Sequence, residues 1–311
     1  MPIETDCNKR LNPCIGIAVH SPAFSVRALA VLFAALFLAG CAASSAGRLA
    51  EDRPIDVIDA HTHCVFNNTP EKTSGIIQSK EEYLREMAEN HVVGAIAHTG
   101  YLGDFHEDLR DRNVVFCYGV GDDIDEAQIE ASLKSGKYGC IKIYLGYIHR
   151  YAYDDAYRRL YKLAETYDVP VVFHTGDTYS AKAKLKYADP LTIDEVAVDH
   201  PKVRFVIAHC GNPWIKTAAE VAYKNANVYL DLSGIMVGDL NQYPKELVEE
   251  YLVRPIGWIF NYVGDPSKIL YGTDWPLVDM GQYLRAIKRA IPEEHWKAVF
   301  HDNAVKVFKL K

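Results

Sequence analysis

The sequence lacks several features that would assign a protein to a class at once. It has no low-complexity tract and no repeat of fixed period, which excludes repeat proteins of the solenoid kind. Positive charge is also scarce: 34 lysines and arginines face 41 aspartates and glutamates, and the formal net charge of −7 gives no support for a nucleic-acid partner. The apolar run at residues 28–40 is shorter than the roughly 20 residues that a membrane-spanning helix needs.

That apolar run is typical of an export signal. It follows Arg27 and ends in Leu-Ala-Gly-Cys41, which resembles the lipobox of bacterial lipoproteins, whose cysteine becomes the lipidated first residue. Residues 1–41 are therefore predicted to form a leader, and residues 42–54 a small, polar tether. This predicts a location in the bacterial cell envelope, at the periplasmic face or the cell surface, with a lipid anchor at Cys41. The alternatives are an uncleaved anchor helix and a chance apolar run.

Residues 55–311 are numerous enough for one large domain with a sizeable core. Runs rich in apolar and β-branched residues alternate here with helical patterns. Eight of these runs are predicted to be strands: residues 55–63, 92–98, 113–120, 139–145, 169–174, 203–209, 227–232 and 268–274. Such alternation implies parallel strands joined by right-handed crossovers, and eight units close most readily into an α/β fold of the (β/α)8 TIM-barrel type. The alternative, an open doubly wound sheet, usually brings a glycine-rich phosphate turn, which is missing after the first run.

The first predicted strand carries the smallest convincing piece of a metal site. It runs Ile-Asp-Val-Ile-Asp-Ala-His61-Thr-His63, and side chains two residues apart in a strand share one face. Two imidazoles on one face at the end of a strand can bind one cation. His61 and His63 are therefore candidate metal ligands.

Further polar residues stand at the ends of other predicted strands. Lys142 lies in the fourth strand, and His174, His209 and Asp274 end the fifth, sixth and eighth strands. Because the carboxyl ends of barrel strands meet at one face of the barrel, these side chains are predicted to lie together. Alternation supports this prediction, since Ile207 should share a face with His209.

A single buried histidine is explained simply as a hydrogen-bonded core residue. The whole set would be a costly group of buried polar side chains without a shared partner. Imidazole and carboxylate donors suit a divalent first-row cation, most naturally Zn²⁺, and such an ion activates water at neutral pH. Asp274 could accept the proton of that water, bind the metal, or do both in turn.

Four motifs carry a resemblance to a known family. Asp-Ala-His61-Thr-His63, Phe-His174-Thr-Gly, Ala-His209-Cys-Gly and Tyr-Gly-Thr-Asp274-Trp-Pro are similar to motifs of the amidohydrolase superfamily. They most resemble the branch that includes aminocarboxymuconate-semialdehyde decarboxylase and related hydrolases and hydratases. The resemblance implies a metal-dependent enzyme with a small-molecule substrate. By position, it implies that His61, His63, His174 and Asp274 are metal ligands.

The resemblance leaves the number of metal ions open at one or two. In single-metal relatives, the histidine that matches His209 orients water and polarises the substrate, whereas in two-metal relatives it binds the second ion. Binuclear relatives also use a carbamylated lysine at the end of the fourth strand, and Lys142 is a candidate for that bridge. The alternative is a lysine that binds an anionic substrate or only packs.

Two enzymatic functions fit this set. The first is hydrolysis of an amide, lactone or ester, and the second is non-oxidative decarboxylation or hydration of an unsaturated acid at the same metal. No obvious arginine stands at a predicted strand end, which favours hydrolysis. A lipid-anchored binding protein without turnover is the third hypothesis. Other residues could line a pocket or simply pack near it: Cys64, His98, Tyr101, Tyr144, Asp177, Asn212, Trp214, Ser233 and Trp275.

The cysteines of the predicted barrel are interpreted as core thiols. Cys64, Cys117, Cys140 and Cys210 lie in or beside predicted buried strands, on different elements. Buried free cysteine behaves as a small apolar residue. No disulfide is therefore predicted from the sequence.

Overall fold

The computed structural model describes residues 55–98 and 109–310. The predicted leader at residues 1–41, with its anchor at Cys41, and the predicted tether at residues 42–54 lie outside the described residues. Within the described ranges, no helix has the length and apolar character that crossing a membrane requires.

Eight parallel strands form the centre of the molecule. They are β1 (Val57–Thr62), β2 (Val92–His98), β3 (Val114–Val120), β4 (Tyr138–Ile143), β5 (Val171–Phe173), β6 (Phe205–Ile207), β7 (Val228–Asp231) and β8 (Ile269–Leu270). Each strand pairs with the next in chain order, from β1 to β8. Residues that follow β8 return to β1, where Thr62 forms a parallel bridge with Trp275. The (β/α)8 prediction is thus confirmed.

Helices lie between the strands in the chain and after the last one. They are α1 (Lys80–Glu89), α2 (Glu126–Lys134), α3 (Leu145–Ile148), α4 (Arg158–Tyr167), α5 (Thr192–Asp199), α6 (Ile215–Lys224), α7 (Lys245–Val248), α8 (Arg254–Val263), α9 (Met280–Ala290) and α10 (Asn303–Phe308). Local chemistry starts several of them. The side chains of Ser79, Asp125 and Asp279 each accept a hydrogen bond from a backbone amide in the first turn of α1, α2 and α9.

Apolar side chains pack on both faces of the strands. The layer inside the barrel contains Ile58, Ile96, Val172, Val206 and Leu270, together with Ala304, Val307 and Phe308 of the last helix. A larger layer packs the outer face of the strands against the helices. The interior below the carboxyl ends of the strands is therefore filled, so chemistry is confined to that end of the barrel.

The structure corrects the expectation of four core thiols. Cys117 of β3 and Cys140 of β4 form a disulfide, whereas Cys64 and Cys210 are free and buried. The two bonded residues are direct partners in the parallel pairing of β3 with β4, with Cα atoms 4.3 Å apart. Sequence reasoning placed them on different elements but could not show that those elements bring them face to face.

Candidate metal centre

Two histidines at the end of β1 present bare ring nitrogens to one point. His61 Nδ1 lies 2.5 Å from the Asp231 carboxylate, and His63 Nδ1 lies 3.1 Å from the backbone carbonyl of His98. Both partners are acceptors, so each Nδ1 carries the proton and donates it. The Nε2 atom of each ring therefore carries no proton, the arrangement that metal-binding histidines use.

The carboxylate of Asp274 faces both lone pairs. Its Oδ1 atom lies 3.1 Å from His63 Nε2 and 3.6 Å from His61 Nε2, and it is buried without a hydrogen-bond partner. Burial alone would raise the pKa of Asp274, but neighbouring His209, His63 and Lys142 together lower it below its ordinary value. Asp274 is therefore a buried anion at neutral pH whose inner oxygen needs a positive partner.

These three residues fit a divalent cation. The ligand atoms of His61, His63 and Asp274 lie within 4.8 Å of one another. Two imidazole nitrogens and one carboxylate oxygen are donors that first-row divalent ions accept. Two glycines leave room for the group: a Cβ at Gly234 would lie 2.8 Å from Asp274 Oδ2, and one at Gly272 would lie 3.0 Å from His61 Cβ. The predicted convergence of His61, His63 and Asp274 is confirmed.

His209 and His174 lie next to this triad rather than in it. His209 Nδ1 is 3.9 Å from Asp274 Oδ2, and its Nε2 is 3.3 Å from His174 Nδ1. The His174 Nε2 proton is donated to the carbonyl of Asp177 at 2.9 Å, which leaves Nδ1 of His174 bare. Burial lowers the pKa of both rings, so both are neutral at pH 7. His174 is thus linked to the triad through His209.

The alternation argument for His209 is wrong in detail. Ile207 belongs to the outer apolar layer, whereas Val206 and Ala208 belong to the inner one. Simple alternation would therefore turn His209 outward. The ring reaches the site because β6 ends at Ile207 and His209 adopts a left-handed conformation with φ 59°. Asp274 enters the site from a similar conformation, with φ 71°.

Lys142 lies beneath the triad on β4. Its side chain is fully buried, and Nζ lies 3.5 Å from His61 Nε2 and 5.5 Å from the centre of the Tyr144 ring. Burial lowers the pKa of Lys142 to about 8, although Asp231 and Asp274 act in the opposite direction. The structure thus places Lys142 beside His61, as the sequence suggested.

Asp231 is the site residue that sequence reasoning missed. It ends β7, is 1% exposed, and also accepts a hydrogen bond from the backbone amide of Ser233 at 2.8 Å. Burial raises the pKa of this carboxyl group. The available signal was the motif Val-Tyr-Leu-Asp231, in which an acid closes a buried strand at the same end of the barrel as the histidines.

Tyrosines border the side of the site formed by His174. The Tyr144 ring stacks on the His174 ring at 5.9 Å, and the Tyr147 ring meets it edge-on at 5.0 Å. Of the other residues suggested as pocket lining, the His98 ring contacts the His61 ring at a tilt, with centroids 3.9 Å apart, and Ser233 contacts His209. Cys64 and Trp275 instead pack in the outer apolar layer, and Tyr101 lies outside the described residues.

Comparison with known proteins gives a family for this architecture. The family model described as amidohydrolase matches residues 78–310, a span that includes Lys142, His174, His209 and Asp274. A search of curated proteins by sequence found no match.

Solved structures share the fold at low sequence identity. A probable 2-pyrone-4,6-dicarboxylic acid hydrolase from Acinetobacter baumannii is 13% identical with a TM-score of 0.58, covering 82% of this chain and 100% of that one. A 5-carboxyvanillate decarboxylase from Novosphingobium aromaticivorans, complexed with manganese, is 13% identical with a TM-score of 0.60, covering 83% and 97%. A zinc-bound amidohydrolase from Burkholderia multivorans is 13% identical with a TM-score of 0.57, covering 83% and 100%. The chain therefore belongs to the amidohydrolase family of metal-dependent enzymes.

Proposed function

We propose that this enzyme hydrolyses an amide, lactone or ester bond of a small molecule, with a divalent cation held by His61, His63 and Asp274. The observation that carries the proposal is the meeting of two bare imidazole nitrogens with an ionised, unpartnered carboxylate oxygen. Zn²⁺ is the ion we propose, because nitrogen and carboxylate donors suit it. When bound, such an ion lowers the pKa of water towards about 7 and polarises a carbonyl oxygen.

The protein residues divide the remaining work. Asp274 directs Oδ1 to the two Nε2 atoms and Oδ2 towards His209. The lowered pKa of Asp274 keeps it ionised, and Oδ2 is the oxygen that would accept a proton from the attacking water. His209 is held by Ser233 at 3.0 Å and orients the substrate carbonyl. Asp231 fixes the tautomer of His61 throughout.

We further propose that His174 joins the ligand set and that Lys142 is carbamylated when two ions are present, with His209 bound to the second ion. Bare Nδ1 of His174 faces His209 at 3.3 Å, and the lowered pKa of Lys142 favours the neutral amine that carbamylation requires. Metal-to-protein stoichiometry distinguishes one ion from two. Incubation with ¹³C-bicarbonate should give a carbamate signal that is lost in Lys142→Ala.

Decarboxylation is the second candidate function. Two of the proteins to which this chain is similar are named for carboxylic acid substrates. One is the 5-carboxyvanillate decarboxylase, and the other is the probable 2-pyrone-4,6-dicarboxylic acid hydrolase. Both reactions can share the same metal ligands. Release of CO₂ from a panel of ring carboxylates would favour the decarboxylase, and incorporation of ¹⁸O from labelled water into a product acid would favour the hydrolase.

The decisive experiment measures metal and turnover in the same samples. His63→Ala and Asp274→Asn should each lose bound metal and at least about a hundredfold of the turnover on a panel of lactones, amides and esters, with the fold retained. His91→Asn is the matched control, since His91 is exposed and precedes β2 at the opposite end of the barrel. Full metal content and unchanged activity in the two site variants would refute the proposal.

For the segment outside the described residues, we propose that Cys41 carries a lipid that holds the enzyme to the cell envelope. The support is the motif Leu-Ala-Gly-Cys41 that follows a charged and apolar run. The Cys41→Ser variant should move from the membrane fraction to the soluble fraction.

A further inference from the structure

The loop that follows β5 combines positive charge with exposed aromatic surface beside the site. It spans residues 177–187 and carries Lys182, Lys184 and Lys186 against one acid, Asp177, in a chain whose net charge is −7. All three lysines are exposed. None of them forms an ion pair with a carboxylate among the residues that the structure describes. Lys186 Nζ also lies 4.7 Å from the centre of the Tyr187 ring. No carboxylate of the described residues therefore neutralises these three positive charges.

This β5 loop is fixed to the site rather than free of it. The carbonyl of Asp177 accepts the ring proton of His174, and the amide of Tyr179 donates to the Tyr147 hydroxyl at 3.1 Å. The amide of Lys184 donates to the carbonyl of Gly146 at 2.9 Å. A Cβ on Gly146 would lie 2.9 Å from the Thr178 methyl group, so the loop packs directly on α3. The loop therefore forms one rim of the barrel mouth.

Aromatic rings continue from the site onto this rim. Tyr147 contacts His174, and the Tyr179 side chain beyond it is 84% exposed. Farther along, the Tyr187 ring stacks on His149 at 6.0 Å and meets Tyr151 at 4.6 Å. Large exposed tyrosine rings offer flat apolar surface that stacks on planar ligands.

The acids on another part of the rim already have partners. Glu82, Asp239 and Asp279 line a groove formed by the segments after β1, β7 and β8. Glu82 pairs with Arg85, while Asp239 and Asp279 accept backbone amide protons at 3.1 and 2.8 Å. The lysines of the β5 loop, in contrast, have no carboxylate partner among the residues that the structure describes.

We propose that the β5 loop selects the substrate by binding its non-reacting part, a planar ring that bears a carboxylate. The lysines attract and pair with the carboxylate, and Tyr179 with its neighbouring tyrosines stacks on the ring. This inference rests on the proposed function, because it assumes that the reacting end of the same molecule lies at the metal centre. It assigns the loop to selection and not to bond cleavage.

The test compares two probes that share a ring, benzoate and isophthalate. One carboxylate can occupy the metal centre, and only isophthalate has a second carboxylate for the lysines. Titration calorimetry on the full-length protein should show isophthalate binding at least about tenfold more tightly than benzoate. This advantage should shrink at high salt, because the lysines are exposed and screened.

Charge-matched variants locate the effect. Lys182→Gln, Lys184→Gln and Lys186→Gln together should abolish the preference for isophthalate. The control replaces Lys134, Lys137 and Lys202, which are exposed and precede β4 or β6 at the opposite end of the barrel, and should keep it. Tyr179→Ser should weaken both probes about threefold while Tyr179→Phe should not.

Two outcomes overturn the inference: equal affinity of the wild-type protein for the two probes, and an isophthalate preference that survives the triple replacement. Failure of the proposed function would be seen separately, as metal content and turnover unaffected by His63→Ala. An enzyme that binds metal and hydrolyses its panel, but shows no preference for isophthalate, would refute the β5 loop inference alone.

Discussion

Single protons decide whether the ring nitrogens of this site can bind a cation. A neutral imidazole has one bare nitrogen, and the hydrogen bond at the other nitrogen determines which one it is. For His61 that bond goes to Asp231 at 2.5 Å, between two side chains that are fully or almost fully buried. Asp231 is therefore as much a part of the candidate metal centre as the triad is, although it contacts His61 at Nδ1 and not at Nε2.

Asp231→Asn should lower metal affinity about 10- to 100-fold with the fold retained, because an amide orients His61 less firmly and carries no charge. Competition with a chromophoric chelator measures the affinity. Glu86→Gln is a suitable control, since Glu86 is also a buried acid but bonds the Trp275 indole and the Met280 amide instead of a histidine ring. It should leave metal affinity within a few-fold. An unchanged affinity in Asp231→Asn would show that another group fixes the tautomer.

Residue-level prediction from sequence succeeded where a motif was local and failed where a partner was remote. His61 and His63 lie two residues apart, so the sequence alone identified them as a pair of candidate ligands. Asp274 was identified because it ends the eighth predicted strand. Asp231 meets His61 across 170 residues of sequence, and nothing in periodicity says which buried acid meets which ring. The disulfide partners Cys117 and Cys140 were missed for the same reason.

The strands were predicted well in number and order, and less well at the ends of the later strands. β5, β6 and β8 stop before the site residues that the sequence assigned to them, at Phe173, Ile207 and Leu270. After these strand ends the backbone is no longer extended, and its turns direct the site side chains into the mouth of the barrel. Apolar runs indicate where a strand lies, but they do not record the positive φ angles that end it.

The turn after β5 shows how tightly such an ending is built. Gly176 has φ +80°, and a Cβ added to it would lie 2.2 Å from the backbone oxygen of Asn212. Gly136, in the turn before β4, has φ +70° and nothing within 4 Å of the same position. The two glycines thus share a backbone conformation and differ in available space.

Gly176→Ala should therefore lower the free energy of unfolding by at least about 3 kcal/mol, because backbone strain adds to a clash with backbone atoms that cannot rotate away. Gly136→Ala should cost only roughly 1–2 kcal/mol, from the left-handed conformation alone. Urea denaturation of the two variants measures the difference. Equal destabilisation would mean that the β5 turn can move away from Asn212 without loss.

Helix α1 joins the barrel through a buried acid whose ionisation should set a pH dependence. Glu86 is 1% exposed, and it accepts hydrogen bonds from the Trp275 indole at 3.2 Å and the Met280 amide at 2.8 Å. Burial raises the pKa of Glu86 to about 7, although the two hydrogen bonds act to lower it. The folded protein therefore holds this proton over a range in which the unfolded chain has released it.

Between the unfolded pKa of 4.5 and the folded pKa of about 7, the native state binds more protons, so the contribution of Glu86 to stability falls as pH rises. Glu86→Gln should remove this pH dependence. Between pH 4.5 and pH 7.5, the free energy of unfolding of the variant should therefore rise relative to that of wild type by up to roughly 3 kcal/mol. Chemical denaturation at several pH values measures it, with Glu81→Gln on the exposed side of α1 as control. Parallel pH profiles for wild type and Glu86→Gln would contradict the prediction.

Over the whole molecule, the bonds that close the barrel and those that build the site are the same. The amide of Asp274 donates to the carbonyl of His61 at 2.8 Å, and the amide of His63 donates to the carbonyl of Trp275 at 2.7 Å. Thr273 completes the connection through its hydroxyl, which donates to Asp59 at 2.6 Å. Joining the first and last strands therefore brings the ligands together, so the metal site forms only when the barrel closes.

The disulfide between β3 and β4 constrains the same barrel from within. Cys117 and Cys140 both belong to the inner apolar layer, and they are 23 residues apart in sequence. Cys140 lies on β4, two residues before Lys142. Disulfides persist in oxidising compartments, so the bond agrees with the proposed location in the cell envelope. A crosslink over this distance should stabilise the folded state by about 3 kcal/mol, by restricting the unfolded chain.

Replacing both residues by alanine should therefore lower the free energy of unfolding by about 3 kcal/mol, and reductant should have little effect on the native protein because both residues are fully buried. Denaturation of wild type with and without reductant, beside the double variant, measures both effects. Reductant can reach the bond only in the unfolded chain. Its presence during denaturation should therefore lower the wild-type denaturation midpoint towards that of the double variant.

Alkylation of the denatured, unreduced protein should leave Cys117 and Cys140 unlabelled while Cys64 and Cys210 react. Labelling of all four would mean that β3 and β4 are held by backbone pairing alone.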